Sequence, residues 1–308
     1  EISACLVGSE MCIRDRVKVK MERPSYLKWL IEEKGVTLDN GESIQCYKLD
    51  YVKDDETLNA WAIHIRRHYI SDEELDESCE ELEISPEEYL KQFVIPQKGK
   101  DRMAGTARSN GISEILFSDL LEFIYGLEVP RCRMDNMSGP TVSEHGTDVI
   151  GYKYYNADKS PDIKDRLVTV EVKAGLTQKT TQVIEKAVID ANKDEYRIAQ
   201  SLDYMRKKLK RMNKQAEAED ILRFQKKTKY DYQLENYAAG MSSLEEIPEQ
   251  KVDGNEMKII PEIVGEDLRL KGDAGIYYVH GKSLMELAHN IYDLSLIHIS
   301  EPTRQAEI

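Results

Sequence analysis

The stretch Arg166–Ala174, RLVTVEVKA, alternates apolar and polar residues and reads as a β-strand. Strand side chains point to opposite faces in turn, so Val168, Val170 and Val172 share one side and Thr169, Glu171 and Lys173 the other. A carboxylate and an ammonium therefore project side by side. An ExK triplet alone carries little weight, because Glu32/Lys34, Glu249/Lys251 and Glu256/Lys258 repeat it, and on an exposed face it is a weak ion contact. Only Glu171/Lys173 sits in a valine-rich strand. Upstream, His145-Gly146-Thr147-Asp148 leads into a second strand, TDVIGYKYY (147–155). If the two strands pair, Asp148 and Glu171 come within reach of one hard cation, and oxygen ligands suit Mg²⁺ or Mn²⁺. Glu114, among apolar neighbours on the preceding helix, can supply a third carboxylate, with Asp119 and Glu122 as alternatives. A metal held there polarises a phosphodiester and activates water. Lys173 then orients that water or offsets the developing charge.

Working outward, Ile112, Ile115, Leu116, Leu120, Phe123, Ile124 and Leu127 trace one helix face, closed by Gly126 and Pro130. A single long helix is expected over about 178–213, with Val183, Ala187, Ala191, Ile198, Leu202, Met205 and Leu209 on its buried stripe. Residues 232–239 and the segment GIYYVHG read as further strands, and Ser283-Leu284-Met285-Glu286 as a capping box that opens a last helix. On the N-terminal side, Leu58, Trp61, Ala62, Ile65 and Tyr69 recur at helical spacing. Ser71 and Ser85-Pro86 cap two short acidic helices. This order implies an α/β fold with helices packed on a mixed central sheet. The Pro/Gly/Lys punctuation of IPQKGKDR divides an accessory region, 17–100, from a catalytic region, 101–293.

A chain of 308 residues with 41% hydrophobic and 32% charged residues is globular in composition, and no apolar run reaches a membrane span. Its net charge of −14 argues against coating nucleic acid by bulk charge. The ends, 1–16 and 294–308, read as translated sequencing-adaptor sequence: a DNA string encoding EISACLVGSEMCIRDR has a reverse complement encoding LSLIHISEPTRQAEI. Cys46, Cys79 and Cys132 are widely spaced, as reduced thiols of a cytoplasmic protein would be. His64 and His68 stand four apart but lack the rest of a zinc motif, so a hydrogen-bonded helix is the better reading. The basic stretches Arg206–Lys214 and Arg223–Lys229 offer phosphate contacts, with Lys207, Lys208 and Lys210 as candidates beside Lys193 and Arg197 on the long helix. Such runs also occur as solvated helix faces.

Glu114, the Gly-Thr-Asp around Asp148, and Glu171-Val172-Lys173 resemble the helix–strand–strand core of PD-(D/E)xK nucleases, with Gly-Thr-Asp in place of that superfamily's usual Pro-Asp. Over about Leu58–Tyr292 the chain resembles the DUF1837/HamA family. The segments that carry this are HIRRHYISDEEL, RSNGISEILFSDLLE, PRCRM, HGTDVIGYK, VEVKAG, KDEYRIAQSL and YYVHGKSLMELAHNIY. The resemblance implies a Mg²⁺-dependent DNA nuclease of the Hachiman anti-phage system, restrained until infection and working with a HamB-like helicase. Its metal ligands map onto Asp148, Glu171 and Glu114, and its catalytic lysine onto Lys173. Two alternatives remain from the residues themselves: a restriction- or repair-type nuclease without a helicase, and a non-catalytic partner-binding protein with a vestigial site.

Overall fold

In a computed structural model, the described residues are 22–33, 36–38, 43–99, 103–142, 146–193, 195–252, 255–260, 270 and 274–297. Among these residues nine strands run in chain order: β1 (Leu30–Glu33), β2 (Val36–Leu38), β3 (Gln45–Leu49), β4 (Val149–Lys153), β5 (Arg166–Gly175), β6 (Gln233–Ser242), β7 (Glu249–Val252), β8 (Asn255–Ile260) and β9 (Ala274–His280). The helices are α1 (Asp55–Tyr69), α2 (Asp72–Leu82), α3 (Pro86–Tyr89), α4 (Ala104–Asp119), α5 (Gln182–Ala191), α6 (Glu195–Arg211), α7 (Gln215–Gln225) and α8 (Leu284–Ile297). Six strands form one mixed sheet in the order β1-β3-β9-β6-β5-β4. Its middle, β3-β9-β6-β5, is parallel, and β1 and β4 close the two edges antiparallel. Strands β2, β8 and β7 make a small second sheet. This is an α/β fold, as the element order implied.

Both faces of β5 are covered, as expected of a strand within a parallel sheet. Val168, Val170 and Val172 pack into a core shared with α1, α4 and α8. On the other face Val183, Ile184, Ala187 and Val188 of α5 meet Ala238, Ile276 and Tyr278. Farther along, Ile198, Leu202, Met205 and Leu209 of α6 join α7 residues over Ile150, Tyr152 and Leu167. The N-terminal residues belong to the same sheet and core: β3 pairs with β9, and the first cluster runs from Tyr26 to Leu296. The Pro/Gly punctuation before residue 100 thus lies in a connection across one shared core. The described part of the C-terminal tail, 294–297, continues α8, with Leu296 buried; residues 1–16 lie outside the described part.

Local chemistry bears out two expected boundaries: Ser71 forms a reciprocal capping box with Glu74, and Ser85 precedes Pro86 at the first turn of α3. The structure adds a cap on α1, where Asp54 accepts from Thr57 N–H. Three expectations need correction. The long helix is two: α5 ends where Asn192 and Lys193 turn back onto the Val188 and Asp190 carbonyls. Its apolar stripe concealed the break because Ala191 and Ile198 are a heptad apart, yet the two halves pack against different clusters. The helix after residue 112 widens at Leu120–Ile124 into π-helical turns, with Tyr125 N–H on the Leu120 carbonyl, and Ile124 faces solvent. Ser283 takes φ 52°, far from the extended geometry of a capping serine, and the Leu284 N–H is received by Ser243 Oγ at 2.9 Å.

Candidate functional site

The β4–β5 register pairs Val149 with Val170, which sets Asp148 opposite Glu171 on the face that looks toward α5 and α6. Asp148 is fixed at the mouth of β4: its Oδ2 accepts from Val172 N–H at 2.8 Å. The turn before it depends on Gly146, at φ 116°, where an added Cβ would lie 2.7 Å from Ser201 Oγ. That serine hydroxyl receives the Thr147 N–H at 2.9 Å. Glu171 is 6% exposed, on β5 between β6 and the edge strand β4.

Glu114 reaches the same place from α4. Between it and Asp148 stands Arg133, with Nε 3.1 Å from Glu114 Oε2 and a terminal nitrogen 2.9 Å from Asp148 Oδ1. Its guanidinium also donates to the Gly146 and Thr147 carbonyls, at 3.0 and 2.6 Å. Burial pushes the Glu114 carboxyl up to about 8; Arg133 opposes this, and the Asp148 charge adds to it. For Arg133, burial works against the charge, but Glu114, Asp148 and Glu171 outweigh it and hold the guanidinium above its ordinary value. Four side chains thus form one electrostatic unit. Among the described residues, Glu114, Asp148 and Glu171 do not bring three ligand oxygens within 4.8 Å of one another; two other clusters of acidic, His or Cys side chains do. The three carboxylates are hard oxygen donors of the kind Mg²⁺ or Mn²⁺ takes, and the positive charge between Glu114 and Asp148 is that of Arg133.

Lys173 continues along the Glu171 face and meets Asp190 of α5, Nζ to Oδ2 2.7 Å. Burial pulls its ammonium down, but Asp190, Asp148 and Glu171 more than offset that, so it stays charged above the usual lysine range. Asp190 binds Lys193 Nζ at 2.7 Å through its other oxygen. The sequence candidate Lys193 is therefore next to Lys173 in space. Arg197 is exposed on α6. Lys207 pairs with Asp203 at 2.6 Å, and Lys210 is exposed. Lys208 departs from expectation: it is 8% exposed, and its Nζ donates to the Arg133 carbonyl and to Tyr204 OH, both at 3.2 Å. It braces the arginine segment from inside instead of facing solvent. Arg223 likewise pairs inward with buried Asp165.

The alternatives to Glu114 are occupied elsewhere. Asp119 accepts from Tyr26 OH at 2.5 Å, ion-pairs with Arg131 at 2.6 Å and lies 2.9 Å from His64 Nε2, while Glu122 also pairs with Arg131 at 2.8 Å. His68 donates from Nδ1 to the His64 carbonyl and receives Arg131 at Nε2, so His64 and His68 belong to a hydrogen-bonded network. Arg131 and Arg133 are charged residues of this region that sequence reasoning did not single out. They lie two apart in PRCRM and line one cleft with His68, Glu114 and Asp148, while Cys132 between them is buried in the α6–α7 cluster. The signal was the Arg-x-Arg spacing, which in extended chain aims both side chains the same way.

Residues 24–294 match the family model described as HamA. No curated protein matches the chain. No described helix is long and apolar enough to cross a membrane.

Proposed function

The chain belongs to the HamA family, whose membership points to anti-phage defence, and from that premise we propose that it is a metal-dependent DNA nuclease with a PD-(D/E)xK-type core. The observation that carries this reading is the cross-strand placement of Asp148 and Glu171, with Lys173 on the same face and Glu114 joined to Asp148 through Arg133. Asp148 and Glu171 would hold Mg²⁺ or Mn²⁺, and Glu114 would assist. The bound ion supplies Lewis-acid polarisation of the phosphodiester and a more acidic water. Asp148 is held in place by the Val172 N–H on Oδ2, and its Oδ1, paired with Arg133, is the oxygen that would turn to the ion.

Lys173, kept protonated by its acidic neighbours, acts as a donor and positive charge toward the scissile phosphate and not as a base. Asp190 fixes its ammonium, and Lys193 and Arg197 extend positive charge from that point along the DNA backbone. The acidic whole and the Arg133 ion pairs suit an enzyme at rest, for which a helicase partner delivers DNA.

The test incubates the protein with supercoiled and linear DNA and Mg²⁺, with and without a partner helicase, beside Asp148→Ala and Lys173→Ala. Metal-dependent cutting lost in both variants supports the assignment. Cutting retained in both overturns the site, and no cutting with a partner and activating DNA turns the reading to a binding protein.

A further inference from the structure

Away from the nuclease-like site, the far edge of the sheet gathers Glu33, Cys46 and His280. One ligand atom from each lies within 4.8 Å of the other two. The sheet register explains why. Glu33, the last residue of β1, pairs with Cys46 of β3; Cys46 pairs with Tyr278 of β9; and His280 follows Tyr278 by two, on the same face. Tyr278 and His280 rings stack at 5.7 Å between centroids. Cys46 and His280 are both fully buried.

The hydrogen bonds around His280 are those of a metal ligand. Its Nδ1 lies 3.0 Å from the Leu244 carbonyl and its Nε2 3.0 Å from Glu33 Oε2. A carbonyl can only accept, so Nδ1 carries the proton there. That leaves Nε2 with a lone pair facing a carboxylate oxygen, two acceptors in contact, unless a further proton sits on the ring or on the Glu33 carboxyl. A cation between them removes the conflict, and a backbone carbonyl on the distal nitrogen is the usual way a ligating histidine is oriented. Cys46 Sγ completes the set at 3.9 Å from the same Glu33 oxygen.

We infer that Glu33, Cys46 and His280 form a binding site for a thiophilic divalent cation, Zn²⁺ by its donor set. A tetrahedral zinc with ordinary bond lengths needs N···O and S···O separations of about 3.3 and 3.6 Å. The observed 3.0 and 3.9 Å bracket these, so side-chain shifts of a few tenths of an ångström suffice. Water or a further donor takes the fourth position. The other close cluster, His64, His68 and Asp119, lacks this character because Arg131 already donates to His68 and ion-pairs with Asp119. The bound ion ties the edge strand β1 to the end of β9 and, through Leu244, to the turn after β6. It is independent of the Mg²⁺ site, whose donors are all oxygen.

Cobalt(II) titration of the full chain, stripped by chelator and kept reduced, tests this. One equivalent should produce a thiolate-to-cobalt charge-transfer band that Zn²⁺ bleaches; the band should vanish in Cys46→Ser and His280→Gln and persist in Cys79→Ser. Should the first two variants fold poorly, alkylation of the unmutated chain decides: Zn²⁺ should slow modification of Cys46 at least ten-fold relative to Cys79 and Cys132. A cobalt spectrum without a thiolate band, a band that survives Cys46→Ser, or no Zn²⁺ protection of Cys46 overturns the site and leaves His280 and Glu33 joined by a proton between them.

Discussion

Replacing Arg133 with Met removes the guanidinium but keeps most of the volume. Its side chain is 17% exposed, and both Glu114 and Asp148 are 13% exposed, so Asp148 loses a nearly buried countercharge and Glu114 a donor at once. Breaking a buried ion pair from one side costs about 3–5 kcal/mol. Two carbonyls, of Gly146 and Thr147, lose a donor as well, although water entering the cleft can replace it. In a chain of this size each kcal/mol moves Tm by roughly 2–4 °C, so in chelator the Met variant should melt at least about 6 °C below the parent. Divalent cation should then matter more. With the competing guanidinium gone, Mg²⁺ at a hundred times its Kd would return about 2.7 kcal/mol, and the Mg²⁺-induced rise in Tm should exceed that of the parent. Differential scanning fluorimetry with EDTA and with a Mg²⁺ series measures both. An unchanged Tm in EDTA would refute the buried electrostatic unit. Equal Mg²⁺ responses in parent and variant would refute competition between Arg133 and the metal.

Asp190→Asn should lower DNA cleavage by about ten-fold or more while leaving Mg²⁺ affinity unchanged, since it releases the Lys173 ammonium without touching a carboxylate ligand; single-turnover rates and metal titrations separate the two, and a pure loss of metal binding would contradict the role given to Lys173. Gly146→Ala should destabilise the chain by about 1–3 kcal/mol, because the left-handed backbone and the 2.7 Å approach to Ser201 Oγ admit no Cβ; a neutral effect in urea denaturation would mean that the turn before Asp148 is not constrained. His68 is held well below the ordinary histidine range, by burial first and then by His64 and Arg131, with Asp119 opposing. Its folded pKa lies under the unfolded one, so the folded state binds fewer protons. The stability this group contributes is whole above about pH 6.5 and falls as pH drops, by at most about 1.4 kcal/mol per pH unit. Urea midpoints between pH 7 and 5 should therefore slope less in His68→Gln, and parallel slopes would count against a neutral, buried His68.

The linear pattern carried strand β5, the placing of Asp148, Glu171 and Lys173 on two strands, and the capped helices at Ser71 and Ser85. Each depends on interactions within a few residues: alternation along one strand, or a side chain reaching its own backbone three positions on. Choosing Glu114 over Asp119 and Glu122 depended on packing, because all three lie on one helical segment and differ only in which arginine meets them. The break between α5 and α6 was hidden for a related reason: a heptad step preserves apolar phase even when the halves serve different cores. Lys208 turned inward because Arg133 and Tyr204, distant in sequence or on the adjoining turn, present oxygen atoms to its ammonium. Glu33, Cys46 and His280 are brought together by pairing of β1, β3 and β9, across more than two hundred residues of chain. Sequence by itself determined which chemical groups each strand and helix offers, because periodicity and capping are local. Only the tertiary structure decided which charges face each other, because that depends on strand register and on burial, which strengthens every pairing it permits.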